Sequence, residues 1–138
     1  MAAIATVREA YARFPLGDEF TETACQVLRE GTVAQVSYES KSLGLALKLF
    51  VSEMEHEGGV YVASPGTDPG YRETNGWVSP WDLTEMLASI GTTTNNLPLE
   101  RLRQMDFFSA TCSVQLQSEL EWFSQNLPLI IAYINRVD

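Results

Sequence analysis

The chain has 138 residues, of which 45% are hydrophobic and 20% are charged, and this balance is typical of a folded protein rather than a disordered one. Its 9 Lys+Arg against 18 Asp+Glu give a formal net charge of −9, so phosphate backbones and anionic lipid surfaces would repel it. We therefore expect one domain with one core, and neither nucleic acid nor a membrane as partner.

Two N-terminal segments carry apolar residues at helical spacing. In residues 4–14 these residues recur every three or four positions, which predicts a helix that ends before Pro15. In residues 19–30 a similar stripe follows Asp18, which can cap a helix, and precedes Gly31, which can end one. The two stripes are Ile4, Val7, Tyr11 and Phe14, and Phe20, Ala24, Val27 and Leu28. Together they predict an N-terminal helical hairpin.

The central part of the chain changes to the period of a β-strand. Residues 34–38 alternate between apolar and polar side chains, and residues 60–63 form an apolar run after the Gly58-Gly59 turn signal. Residues 43–54 fit both a strand and a helix by spacing, but their position between two strands favours a strand. The prediction is an antiparallel meander of three strands, to which a short fourth strand near Trp77 can be added.

Residues 64–78 contain Pro-Gly twice and Asn-Gly once, which predicts an irregular loop of functional or mobile character. A helix start follows at Ser79-Pro80-Trp81-Asp82, and the helix should run to Gly91. Residues 97–105 predict a short helix and residues 113–127 a longer one capped by Ser113. Pro128 then either kinks that helix or begins a separate one.

The elements in chain order are two helices, three or four strands, and two to four helices. This order predicts an α+β fold, with a small antiparallel sheet of three or four strands, an N-terminal helical hairpin, and C-terminal helices packed mainly on one face. Polar stretches are short and no repeat is visible, so residues 1–138 are expected to form a single globular domain.

The two cysteines, Cys25 and Cys112, lie far apart in the sequence, and neither belongs to a CxxC pair. This spacing does not support a thiolate metal site, so we expect both side chains to pack in the core in a reducing compartment. The first residues lack the pattern of a secretory signal, and no stretch approaches the roughly 18 apolar residues of a membrane span. The expected location is the cytoplasm.

The one histidine, His56, lies among Glu53, Glu55 and Glu57. Three carboxylates and an imidazole could hold a divalent cation, but the spacing matches no known metal motif. A solvated hairpin tip whose charges discourage edge aggregation explains the same residues, and we favour it over a metal site.

The sequence does not favour an enzyme. A Ser-His-Asp or Cys-His mechanism would have to use His56, which is expected on an exposed turn, and Cys25 is expected in the middle of a helix. Neither a GxGxxG nor a GxxxxGK[ST] phosphate loop is present. We therefore expect a non-catalytic protein without a cofactor.

Aromatic residues cluster on and just after the irregular loop, at Tyr71, Trp77 and Trp81. Tyr, Trp and Arg are enriched at interface hot spots because they bury a large area at little entropic cost. Tyr71 and Arg72 are expected to be exposed, whereas each Trp can instead fold inward over the sheet. Trp122 lies off the apolar stripe of its helix, so it is either a second contact site or part of the core.

The sequence thus favours an acidic binding protein that sequesters or neutralises a protein partner, as bacterial toxin-immunity proteins and secretion chaperones do. The partner would be basic, such as a toxin or a secreted effector. The expected partner-binding residues are Glu53, Glu55, Glu57, Asp68, Tyr71, Arg72, Glu73, Trp77 and Trp81. One alternative is a small-molecule-binding or enzymatic domain with a pocket near Trp77 and Trp81, and another is a structural subunit of a larger assembly.

Overall fold

A computed structural model describes residues 3–136 and has an α+β fold, as predicted. Its four strands form one antiparallel sheet in the order β1-β2-β3-β4, and the helices pack against this sheet. The strands are β1 (Thr21–Leu28), β2 (Val33–Ser40), β3 (Leu45–Ser52) and β4 (Glu57–Ala63). The helices are α1 (Ala3–Ala12), α2 (Pro80–Ser89), α3 (Leu97–Gln104), α4 (Cys112–Gln125) and α5 (Leu127–Ile134).

The prediction of an N-terminal helical hairpin is wrong in its second half, because residues 19–30 contain the edge strand β1. This strand pairs with β2 from Thr21↔Glu39 to Leu28↔Val33. The side chains of β1 are exposed or half-buried, so of the expected apolar stripe only Phe20, which precedes the strand, joins the core. Tertiary pairing has overridden a weak helical pattern in a segment that includes β-branched residues. Cys25 is consequently exposed on a strand, so the expectation that it would pack in the core is wrong. Cys112 is half-buried at the start of α4 and packs against the core.

The ambiguous segment at residues 43–54 forms β3, which confirms the strand prediction. All eight residues of β3 are buried, because the helices cover one face of the sheet and the loop at residues 64–78 covers the other. A strand that is buried on both faces carries apolar residues on both, and this is why its sequence also fits a helix.

The helix starts follow the local sequence closely. Ser79 caps α2, since its Oγ accepts a hydrogen bond from the Asp82 amide at 3.2 Å, and Pro80 occupies the first turn. Pro128 begins the separate helix α5 rather than kinking α4. The cap of α4 is Thr111, not Ser113, because the Thr111 hydroxyl accepts from the Val114 amide.

The helix-covered face of the sheet holds the larger core. Helix α1 packs on β2 and β3, and α4 packs on β4 and against α1. Trp122 is 0% exposed within this core, so it is a packing residue and not a second contact site. Its other large buried members include Phe14, Phe20, Leu45, Leu47, Leu49, Leu83, Leu116, Leu120, Phe123 and Ile130.

The opposite, loop-covered face holds a smaller cluster beneath residues 64–78, which we call the covering loop. The buried members of this cluster are Val33, Ala46, Phe50, Tyr61, Ala63 and Trp77. The short extra strand considered near Trp77 is a single antiparallel bridge between Val62 and Val78. The bridge brings the end of the covering loop against β4.

Candidate functional site

The outer edge of β4 is closed by two side chains of α4. Gln115 Oε1 accepts from the Gly58 amide at 2.9 Å, and Glu119 Oε1 accepts from the Val60 amide at 2.9 Å. Four helical residues rise about 6 Å and two strand residues about 6.7 Å, so side chains one turn apart meet alternate amides of the strand. Gly58 allows this approach, because a Cβ there would lie 2.6 Å from the Cys112 carbonyl oxygen. Helix α4 is therefore fixed in register along the sheet edge.

In front of this closed edge lies an open pocket of about 450 Å³, which we call the acidic pocket. Its walls come from β4, the start of α2, the end of α3 and the first turns of α4. The lining residues are Glu57, Gly58, Gly59, Tyr61, Glu73, Ser79, Trp81, Asp82, Leu102, Arg103, Ala110, Gln115 and Glu119. The pocket thus combines aromatic and apolar walls with four carboxylates, while Arg103 is the one basic residue among the described residues that line it.

Glu119 is the most deeply buried of these carboxylates, with 5% of its surface exposed. Its Oε2 accepts a hydrogen bond from Trp81 Nε1 at 3.1 Å, while Oε1 is held by Val60. Burial raises the pKa of Glu119 to about 7, against the opposing effect of the two hydrogen bonds. The pocket therefore contains a carboxyl group that changes charge near neutral pH.

Trp81 connects this carboxyl group to the opposite wall of the pocket. It lies in the first turn of α2, where it is half-buried, and its ring faces the guanidinium of Arg103 at 5.1 Å. A cation positioned over an indole face is attracted by the ring quadrupole. Arg103 of the chain itself thus occupies one face of the Trp81 ring on this wall of the acidic pocket.

Arg72 brings two of the predicted glutamates together. Its guanidinium contacts the carboxylates of Glu55 and Glu57, and it lies 4.4 Å from the centre of the Phe50 ring. Tyr71 packs edge-on against the same ring. Arg72 and Tyr71 are consequently half-buried, and the prediction that both would be exposed is wrong. The cause is the face of β3 that is turned away from the helices, because it carries Phe50 and is buried by the loop at residues 64–78.

The covering loop is held by polar contacts around a buried lysine. Lys48 is 0% exposed, donates to the Pro69 carbonyl, and has its ammonium 4.5 Å from the centre of the Trp77 ring. Trp77 Nε1 in turn donates to the Asp68 carbonyl at 2.8 Å, and Gln35 donates to the Gly70 carbonyl at 2.7 Å. Burial lowers the pKa of Lys48 to about 8. Trp77 therefore folds inward and fastens the loop.

The residues expected from the sequence to bind a partner are only partly brought together. Glu57, Glu73 and Trp81 line the acidic pocket, and Glu55 adjoins it through Arg72. Glu53 lies in the β3–β4 turn, where it is half-buried, while Asp68, Tyr71 and Trp77 belong to the covering loop and its contacts.

Sequence reasoning missed several residues that the fold places at or near the pocket. They are Tyr61, Asp82, Arg103 and Glu119, together with an exposed aromatic pair at Phe107 and Phe108. The adjacent phenylalanines in a polar connection between two helices were a usable signal, because apolar side chains at such a position have no core to join. Glu119 gave no signal of its own, since its neighbours on α4 include other polar residues.

Searches for a metal site, for a membrane-spanning helix and for similar known proteins gave negative findings. Within residues 3–136, no three His, Cys, Asp or Glu side chains are grouped so as to hold a metal ion. In the same part of the chain, no helix has the length and apolar character needed to cross a membrane. No family model matches the sequence, and no curated protein or solved structure matches it.

Proposed function

We propose that this protein is a non-catalytic, cytoplasmic binding protein that sequesters or neutralises a basic protein partner through the acidic pocket. The observation that carries this proposal is the composition of the pocket, in which a tyrosine and a tryptophan are surrounded by four carboxylates. This combination suits the side chain of lysine or arginine, whose methylene stem packs on apolar surface while its charged end seeks anions.

Charge supports the same partner class. Glu57, Glu73 and Asp82 are exposed at the rim of the pocket, and the chain as a whole carries a net charge of −9. Such a field steers a basic protein towards the pocket and repels anionic partners. Small acidic proteins that block a basic toxin or hold a secreted effector work by this kind of complementarity, and we place the protein in that functional class.

The proposal is tested with the partner recovered by affinity capture from the native host and identified by mass spectrometry. The pocket variant carries Glu73→Lys and Asp82→Asn, and the matched control carries Glu9→Lys and Glu30→Gln. The control changes the net charge by the same amount at exposed positions outside the pocket. We expect the pocket variant to associate with the partner at least about tenfold more slowly and the control to stay within about twofold of wild type.

The salt dependence provides a second reading of the same experiment. Raising NaCl from about 50 to about 500 mM should slow association with the wild type and the control, but should have less effect on the pocket variant. Equal rates for the pocket variant and the control would contradict the proposal, because the general field and not the pocket would then determine binding.

A second candidate function, a small-molecule-binding or enzymatic domain, is favoured by one observation. Glu119 is a buried carboxyl group in a pocket, with a pKa raised to about 7, and such groups serve as general acids and bases. Of the two tryptophans assigned to such a pocket from the sequence, Trp81 lines it and Trp77 lies elsewhere. Turnover by the purified protein that disappears in a folded Glu119→Gln variant would establish this alternative and refute the first proposal.

A further inference from the structure

An exposed apolar surface lies beside the acidic pocket. It consists of Phe107 and Phe108 in the α3–α4 connection together with His56 in the β3–β4 turn, which contacts Phe107, and Met54, which lies two residues before His56 in the same turn. We call it the Phe patch. Phe107 is 63% exposed, Phe108 82% and Met54 80%. Large apolar side chains gathered at such exposure are typical of an interaction surface, because burying them on a partner is favourable.

The Phe patch is held in a defined shape. The two phenylalanine rings meet edge to face, with 5.5 Å between the ring centres. The His56 ring packs on the Phe107 ring, with 4.3 Å between their centres. His56 Nε2 lies 2.9 Å from the Phe107 carbonyl oxygen. Asp106 accepts from both the amide and the hydroxyl of Ser109, which closes the turn that carries the two rings. A surface already fixed in this way loses little entropy when a partner binds.

The Phe patch and the acidic pocket are parts of one surface. Gln115, a lining residue of the pocket, donates to the carbonyl oxygens of His56 at 3.1 Å and Ala110 at 2.7 Å. The turn that carries Met54 and His56 also continues directly into Glu57 at the pocket rim. Apolar side chains and carboxylates therefore adjoin without an intervening element.

We propose that the Phe patch and the acidic pocket together bind a cationic amphipathic helix of the protein partner. This inference rests on the proposed function and names the part of the partner that is recognised. The apolar side of the helix would pack on Phe107, Phe108 and Met54, and a lysine or arginine from the adjoining side would enter the pocket. Phenylalanine and methionine are suited to this role, since helix-binding grooves use apolar anchors and methionine adapts to their shape.

Charge complementarity selects this occupant over two others. A second copy of the chain would bring the same net charge of −9, and an anionic membrane would be repelled by it. A basic helix satisfies both halves of the surface at once, because its apolar residues recur at i, i+3, i+4 and i+7 and leave cationic residues along the border.

The test uses a synthetic leucine–lysine peptide of about 18 residues, with leucine at helical spacing on one face. A peptide of the same composition in shuffled order serves as its control. Binding of both peptides is measured by titration calorimetry on wild type, on Phe107→Ser/Phe108→Ser, and on the pocket variant Glu73→Lys/Asp82→Asn. The matched protein control is Ile90→Ser, which removes a side chain that is 64% exposed at the end of α2. Circular dichroism confirms that each variant is folded.

We expect wild type and Ile90→Ser to bind the amphipathic peptide at least about tenfold more tightly than the shuffled one. The Phe107→Ser/Phe108→Ser variant should lose at least about tenfold in affinity, and the pocket variant should lose affinity and salt dependence.

Four results would overturn the inference. One is equal binding of the two peptides, or no binding, by wild type. Another is unchanged affinity in Phe107→Ser/Phe108→Ser while the pocket variant is weakened, which would leave the proposed function standing. The third is binding of wild type to phosphatidylcholine vesicles that disappears in the Phe107→Ser/Phe108→Ser variant, since a lipid surface would then be the occupant. Unchanged affinity in the pocket variant alone would refute the proposed function together with the inference.

Discussion

The two faces of the sheet are covered by different means. The helix-covered face is closed by apolar side chains from α1 and α4, whereas the loop-covered face combines six apolar residues with the buried Lys48 and the polar side chains of Gln35 and Ser37. Apolar burial supplies most of the free energy of folding, while hydrogen bonds and ring contacts contribute less but require a defined geometry. The helix-covered face therefore stabilises the fold, and the loop-covered face fixes the position of a loop.

Among the described residues, the helix-covered side of the sheet contains one buried carboxyl group, that of Glu119, and the loop-covered side one buried amino group, that of Lys48. Burial raises the pKa of Glu119 to about 7 and lowers the pKa of Lys48 to about 8. Both shifts favour the neutral form, as expected when a charge leaves water. The difference lies in their surroundings, because Glu119 faces an open pocket and Lys48 lies beneath the covering loop.

The largest expected loss of stability comes from a substitution in the core of the helix-covered face. Phe123→Ala should lower the free energy of unfolding by about 4 kcal/mol, because the ring is fully buried among Phe14 and Phe20. Trp77→Ala should cost less, about 3 kcal/mol, because the covering loop can relax into the space. Denaturant titration measures both values. In Trp77→Ala, amide hydrogen exchange should become faster only in residues 64–76. Equally faster exchange over the whole sheet would contradict the separate roles of the two faces.

The next effect concerns Glu119 and has a defined pH window. A carboxyl whose folded pKa is raised from 4.5 to about 7 stabilises the fold fully below pH 4.5, and this contribution is lost as the pH rises through 7. The loss corresponds to about 3 kcal/mol. Between pH 4.5 and 7.5, the stability of Glu119→Gln relative to wild type should therefore rise by about that amount.

Glu9→Gln, at an exposed position on α1, is the control for this measurement and should show no such rise. Denaturant titration at several pH values provides the data. Parallel pH profiles for wild type and Glu119→Gln would mean that Glu119 titrates as an ordinary surface carboxyl.

The smallest expected losses of stability come from substituting two ion-paired arginines. Arg72→Ala should cost about 1 kcal/mol, since its guanidinium is half-buried on Phe50 and pairs with two glutamates. Arg101→Ala, whose pair with Glu121 is exposed, should cost less than about 0.5 kcal/mol. Thermal and chemical unfolding measure the difference. Equal costs would show that the stacking of Arg72 on the loop-covered face adds nothing to stability.

Much of the fold could be predicted from local sequence. The start of α2 is set by Ser79 and Pro80, whose chemistry acts within one turn, and the strand at residues 43–54 followed from its neighbours. The helix prediction for residues 19–30 was wrong because their apolar spacing is compatible with a helix, whereas pairing with β2 across the Gly31 turn determines that they form a strand. Long-range pairing of this kind has no local signature.

The candidate site was harder to predict, because its residues come together only in the folded chain. The sequence drew attention to Trp81 and to the glutamates near His56, and two of those glutamates meet through Arg72. Glu119 could not be selected among the other acids, since its role depends on the outward amide of a strand about sixty residues away. The side chain of Arg72 was expected to be exposed because its contacts with Phe50 and the two glutamates also form only in the folded chain.

The hydrogen bonds from α4 to the edge of β4 have a consequence for how this molecule can be altered. Gln115 and Glu119 accept from alternate amides of β4, so inserting a single residue between Gln115 and Glu119, or between Gly58 and Val60, would prevent both hydrogen bonds from forming together. Insertions between residues 64 and 111 leave the phase of the helix against the strand unchanged. Variation in length should therefore accumulate in the connecting segments, whereas α4 and β4 can change only as a matched pair.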